Sequence, residues 1–116
     1  GFAVPGRPGM WVAGAALCDD GSAETWIWDA PGGFAGERRD ASWRIVAERR
    51  GDVTRYALTI PLDSVGLSRE QLTRGIRFNL LVNDNDGEGR DGWIQLEEGI
   101  ASERDAEKFP LLVFEP

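Results

Sequence analysis

The sequence predicts an all-β fold, an antiparallel β-sandwich of the jelly-roll or immunoglobulin-like kind. Seven short stretches read as strands, the clearest of them alternating residues with the period of two that half-buried strands require. Fifteen glycines and six prolines punctuate those stretches, and no long run carries the 3.6-residue period of an amphipathic helix. A chain of 116 residues, 41% of them hydrophobic, can fill one core but not two, so it reads as a single domain over 1–116.

Residues 1–9, with Gly1, Gly6, Gly9, Pro5 and Pro8, read as an irregular lead-in. The first strand is expected over Met10 to Leu17, with Trp11, Ala13, Ala15 and Leu17 on one face. Asp19-Asp20-Gly21-Ser22 then turns the chain into a second strand, Glu24 to Trp28, paired back as a hairpin. Asp29 to Asp40 contains Pro31-Gly32-Gly33 and reads as a loop. Ser42 to Glu48 sets Trp43, Ile45 and Ala47 against Ser42, Arg44 and Glu48, and Arg50-Gly51-Asp52 reverses it into Val53 to Ile60, which ends at Pro61. Leu62 to Leu72 holds a short helical turn with Ser68 as its cap. The clearest alternation follows, Ile76, Phe78, Leu80 and Val82 against Arg77, Asn79 and Leu81, predicting one strand from Ile76 to Val82. Trp93 to Leu96 and Leu111 to Phe114 complete the set.

Charge and composition narrow the function. The formal net charge is −7 and the 13 basic residues are scattered, so a phosphate backbone is repelled and nucleic acid is not an expected partner. No apolar run approaches the roughly 20 residues of a membrane helix, and the first residues do not read as a signal peptide. The single cysteine, Cys18, excludes an intrachain disulfide. With no histidine there is no imidazole base and no Ser-His-Asp triad. Glu97 and Glu98 are adjacent, so on a strand they point to opposite faces and do not flank one bond. The chain is not expected to be an enzyme.

From Val53 to Glu115 an ordered series of short matches appears: Ile60-Pro61-Leu62, Gly75-Ile76-Arg77-Phe78-Asn79, Val82-Asn83-Asp84, Arg90, Gly92-Trp93, Gly99-Ile100, Arg104-Asp105 and Lys108-Phe109. This half of the chain resembles the C-terminal half of family 9 carbohydrate-binding modules and the wider group that includes DOMON-type sugar and haem domains. The resemblance implies a β-sandwich accessory to polysaccharide-active enzymes, with no chemistry of its own, binding sugar through aromatic side chains and bracing loops with calcium. It also implies an extracytoplasmic or secreted bacterial protein. Two departures stand out. The family's N-terminal strands have no counterpart before Met10, and Glu103 occupies the position where sugar-binding relatives carry tryptophan. A haem is not expected, because Met10 is the only methionine and histidine is absent.

Two kinds of site are candidates. Asp84, Asp86 and Glu88 present alternating oxygen ligands suited to calcium. The spacing matches positions one, three and five of a calcium loop, yet position twelve is Gln95 rather than a bidentate glutamate. The alternative is a solvated hairpin in which Asn and Asp side chains bond their own backbone. The family resemblance makes Asn83, Asp84 and Arg90 fasteners of this loop. For sugar, five tryptophans are available, and an indole face stacks on the C–H face of a pyranose. Trp93 beside the polar loop leads, followed by Trp26 and Trp28, then Glu103 and Arg104. Trp26 and Trp28 share one strand face and form either a platform or, as favoured here, a slab of core; Trp11 and Trp43 are expected in the core.

The expected function is a noncatalytic carbohydrate-binding or accessory module that takes a neutral sugar by tryptophan stacking and polar contacts. The alternative is a structural or interaction module of a multidomain protein that binds no glycan, its sandwich packed on a neighbouring domain. Glu103 in place of the family's tryptophan and the missing N-terminal strands both favour the second reading. They also allow an incomplete sandwich finished by another segment or a second copy, as a homodimer through sheet edges.

Overall fold

The computed structural model describes residues 1–32, 39–85, 90–101 and 103–115, with the backbone alone for 84, 85, 90 and 91. Its regular structure is mostly strand, as predicted, arranged in several small antiparallel sheets. The chain forms two compact units, Trp11–Arg69 and a second made of Gly1–Met10 with Glu70–Pro116.

In the unit Trp11–Arg69, two hairpins carry the structure. Strands β2 (Val12–Leu17) and β3 (Ala23–Asp29) pair through the predicted turn, where Gly21 takes φ 82° and the Asp20 carboxylate accepts from the Ser22 amide and hydroxyl. A left-handed bend at one residue suits glycine, which lacks the Cβ that clashes with the backbone there. Strands β4 (Arg44–Arg50) and β5 (Val53–Thr59) pair in unbroken register from Arg44↔Thr59 to Arg50↔Val53, and β4 lies against β2 and β3. Val12, Ile27, Ala30, Trp43 and Val65 are the buried apolar residues. The Trp43 indole N–H donates to Ser64 Oγ at 2.9 Å, and Ser64 donates onward to the Pro61 carbonyl, which anchors the 3-10 turn Leu62–Val65 to the core. Trp11 tilts against Trp43 with centroids 6.3 Å apart.

The other unit is built on a three-stranded sheet in the order β1–β6–β9, from Phe2–Ala3, Ile76–Phe78 and Leu111–Leu112. The supposed lead-in therefore supplies a strand, Phe2↔Phe78 and Ala3↔Arg77. A short helix α1 (Arg69–Arg74) follows directly on Ser68. A second hairpin joins β7 (Leu81–Asn85) to β8 (Arg90–Gln95). The predicted single strand Ile76–Val82 is thus two strands, broken at Asn79-Leu80.

Asn79 explains the break. It is fully buried, and its amide nitrogen donates to the Glu97 and Glu98 carbonyls at 2.8 and 3.0 Å. Its side-chain oxygen accepts from the Leu80 and Glu97 amides at 2.9 and 3.1 Å. One side chain thereby satisfies four backbone groups that a continuous ladder would have paired. The Asn79 backbone exchanges hydrogen bonds with Gly1, at 2.8 and 2.9 Å.

Phe109, 1% exposed, closes this core beneath Gly99, which sits at φ 100° with an added Cβ placed 2.7 Å from the Asp105 carbonyl oxygen. Backbone cannot swing aside as a side-chain tip can. Gly99→Ala is expected to destabilise the fold by roughly 1–3 kcal/mol, readable as an earlier urea midpoint; an unchanged midpoint contradicts the packing described.

Burial lowers the pKa of the Gly1 amine from 8.0 to about 6. A depressed folded-state pKa means the folded form resists protonation that the unfolded chain accepts. In the 116-residue polypeptide beginning at Gly1, stability is therefore full above pH 8 and falls as pH drops from 8 to 6, by up to about 2 kcal/mol. With no histidine in the chain, no side chain has its ordinary pKa inside that window. Urea midpoints at pH 6 and 8 check it; equal midpoints contradict it.

Candidate functional site

Alternation along β3 puts Glu24, Trp26 and Trp28 on one face and Ile27 on the other. Ile27 is completely buried whereas Trp28 is 38% exposed and Trp26 half-buried. The two indoles therefore belong to the outward face, and the expectation that they form core is corrected. The register supplies the reason. Ala13 pairs with Ile27 and Val12 with Asp29, so Trp28 is the extra residue of a β-bulge. A bulge re-aims a side chain, and here the indole of Trp28 leans over Gly14, the residue opposite Trp26.

Gly14 is what lets both rings lie close to the sheet. A Cβ at this position would sit 2.5 Å from Trp28 Cη2 and 3.0 Å from Trp26 Cε2. The Thr25 hydroxyl donates to the Gly14 carbonyl at 2.8 Å, holding the backbone beneath the rings. Trp26 and Trp28 meet edge to face, centroids 5.2 Å apart and planes at 74°, a favoured aromatic geometry. The result is an indole shelf with one ring turned across the other.

Polar groups border the shelf. The Glu24 carboxylate, two residues before Trp26 on the same face, pairs with the Arg39 guanidinium at 3.2 Å, with side chains 41% and 62% exposed. Both keep spare hydrogen-bonding capacity, acceptor lone pairs on Glu24 and N–H groups on Arg39. The arrangement suits a neutral polyhydroxylated ligand: apolar rings for its C–H face, an acceptor and a donor for its hydroxyls.

No family model, curated protein or solved structure matches the chain. What it binds must be read from its own side chains.

The other predicted residues lie in the second unit. Trp93, on β8 opposite Asn83, is 46% exposed. Glu103 forms an ion pair with Lys108, and this hydrogen bond raises the lysine pKa. Arg104 is exposed, in the segment before the 3-10 turn Ala106–Lys108. Of the proposed calcium ligands, Asp86 and Glu88 lie outside the described residues, and the described part of Asp84 is its backbone in β7. Among the described residues no helix is long and apolar enough to cross a membrane.

Sequence reading missed Gly14, Glu24 and Arg39. The Glu-x-Trp-x-Trp spacing gives the shared face of Glu24, Trp26 and Trp28. Gly14 and Arg39 come to the shelf through hairpin register and loop return, which leave no mark in local pattern.

Proposed function

We propose that the protein is a noncatalytic carbohydrate-binding module of a polysaccharide-active protein, with a β-sandwich architecture of the kind its C-terminal half resembles. The observation that carries the reading is the outward-facing Trp26–Trp28 pair over Gly14, with its indoles 5.2 Å apart. Trp28 is 38% exposed and Trp26 half-buried on that face, and stacking on a pyranose is a use that fits their polar border. Calcium at Asp84, Asp86 and Glu88 belongs to this reading as a loop brace. Partition onto insoluble neutral polysaccharides tests it: the chain is expected to bind one of them and Trp26→Ala to release it, while no retention on any polysaccharide, with or without calcium, opposes it.

A second reading has its own observation. Leu80, Val82, Ile94 and Leu96 share one face of the β7–β8 hairpin, and they are 54%, 54%, 77% and 60% exposed. Such a face favours an interaction module that packs on a neighbouring domain.

A further inference from the structure

We propose a second binding site, in the unit containing Gly1–Met10 and Glu70–Pro116, that takes the carboxylate of an acidic saccharide, a uronate. A cleft of about 690 Å³ opens between Pro5, Gly6, Arg7 and Pro8, the β6 residue Arg77 and Glu107 of the 3-10 turn. That volume lies within the range of small-molecule sites, about 300–1,000 Å³.

The chain as a whole is acidic, with 20 acidic residues against 13 basic, yet this cleft gathers two arginines against one glutamate. Arg7 and Arg77 both line this cleft, and neither is in an ion pair among the described residues. Arg77 is held in place, its Nη1 donating to the Phe109 carbonyl at 3.0 Å, while its other N–H groups are left for a ligand. Arg7 follows the Gly6 bend and its amide donates to the Val4 carbonyl at 3.1 Å. Two guanidinium groups at one concavity suit an anion.

Glu107 and the prolines narrow the class. Two arginines and one glutamate leave a single positive charge, which one carboxylate neutralises and a doubly charged phosphate exceeds. Glu107 is acceptor-only when ionised, so it needs a ligand that also donates, as a sugar hydroxyl does and sulfate does not. Pro5 and Pro8 offer apolar flanks for ring C–H groups. One carboxylate, several hydroxyls and an apolar ring face together describe a uronate.

This inference rests on the saccharide-binding reading but uses other residues, so the two can fail separately. The test is amide chemical-shift titration of the full chain at low salt with a galacturonate disaccharide, its neutral galactose counterpart and sodium sulfate. Saturable shifts confined to the amides of Val4, Gly6, Arg7, Arg77, Ala106 and Glu107 are expected with the uronate, with at least about tenfold weaker response of these amides to the other two probes. Arg7→Gln, at an exposed turn where the side chain makes no ion pair, and Arg77→Lys, which keeps charge but loses the fork, should each weaken uronate binding at least about tenfold. Equal response of these amides to sulfate or to the neutral sugar overturns the proposal, as do uronate shifts that leave these amides unmoved or unchanged affinity in Arg7→Gln. Neutral glycan bound at the indole shelf with a silent cleft sinks only this inference; uronate bound in the cleft with no neutral glycan bound anywhere sinks only the shelf.

Discussion

Trp26→Ala and Trp28→Ala are each expected to weaken binding of a neutral oligosaccharide by roughly 1–3 kcal/mol, about 5- to 150-fold, with a fall in folding midpoint that reflects only the lost edge-to-face contact and the covered part of one ring. The division between affinity and stability follows from placement. Both side chains are on the face opposite Ile27, so their removal takes stacking surface from a ligand and leaves the fully buried side chains in place. Calorimetric titration reads the affinity, and urea denaturation reads the fold. Gly14→Ala is the more discriminating variant, because it removes no aromatic. Its methyl group would collide with Trp28 Cη2, pushing that ring from its edge-to-face contact. Loss of the indole–indole signal in circular dichroism, together with a similar fall in affinity and a preserved midpoint, is the expected result. Full affinity in Gly14→Ala would mean that the shelf geometry is irrelevant to binding.

Asn79→Ala should cost as much stability as truncating an apolar residue of the core. The change leaves the Glu97 and Glu98 carbonyls and the Leu80 and Glu97 amides without their side-chain partner. Leaving a buried polar group unsatisfied costs about 1–3 kcal/mol, and water entering the space recovers part of that. A net loss of about 3–5 kcal/mol is expected, a large share of the about 5–15 kcal/mol that stabilises a typical domain. Asn79→Asp should be no better near neutral pH, since a carboxylate aimed at two carbonyl oxygens replaces a donor with a charge. Thermal unfolding checks both variants; a midpoint within a few degrees of the parent for Asn79→Ala would contradict the assigned network.

The hairpins β2–β3 and β4–β5 were legible because their evidence is local: a short strand-like run on each arm, and Gly21 or Gly51 between them at positive φ. Strand β1 was not legible, since its partner β6 lies more than seventy residues away and Gly- and Pro-rich flanks give no alternation to read. The alternation from Ile76 to Val82 is real, but it cannot show that Asn79 turns its own amide onto Glu97 and Glu98 and ends one ladder there. For the tryptophans, spacing told that Trp26 and Trp28 share a face. Which face is outward depends on what covers Ile27, a tertiary fact, and the bulge that tips Trp28 over Gly14 depends on register with β2.

Intrinsic tryptophan fluorescence during titration with neutral oligosaccharides is the most direct test of the central claim, that the Trp26–Trp28 shelf is a sugar-binding surface. A saturable change with one glycan class, unaltered in Trp93→Ala and moved to about 5- to 150-fold higher glycan concentration in Trp26→Ala and Trp28→Ala, is the result predicted. A flat response of the folded chain across the panel, with and without calcium, or a response abolished only by Trp93→Ala, would contradict it.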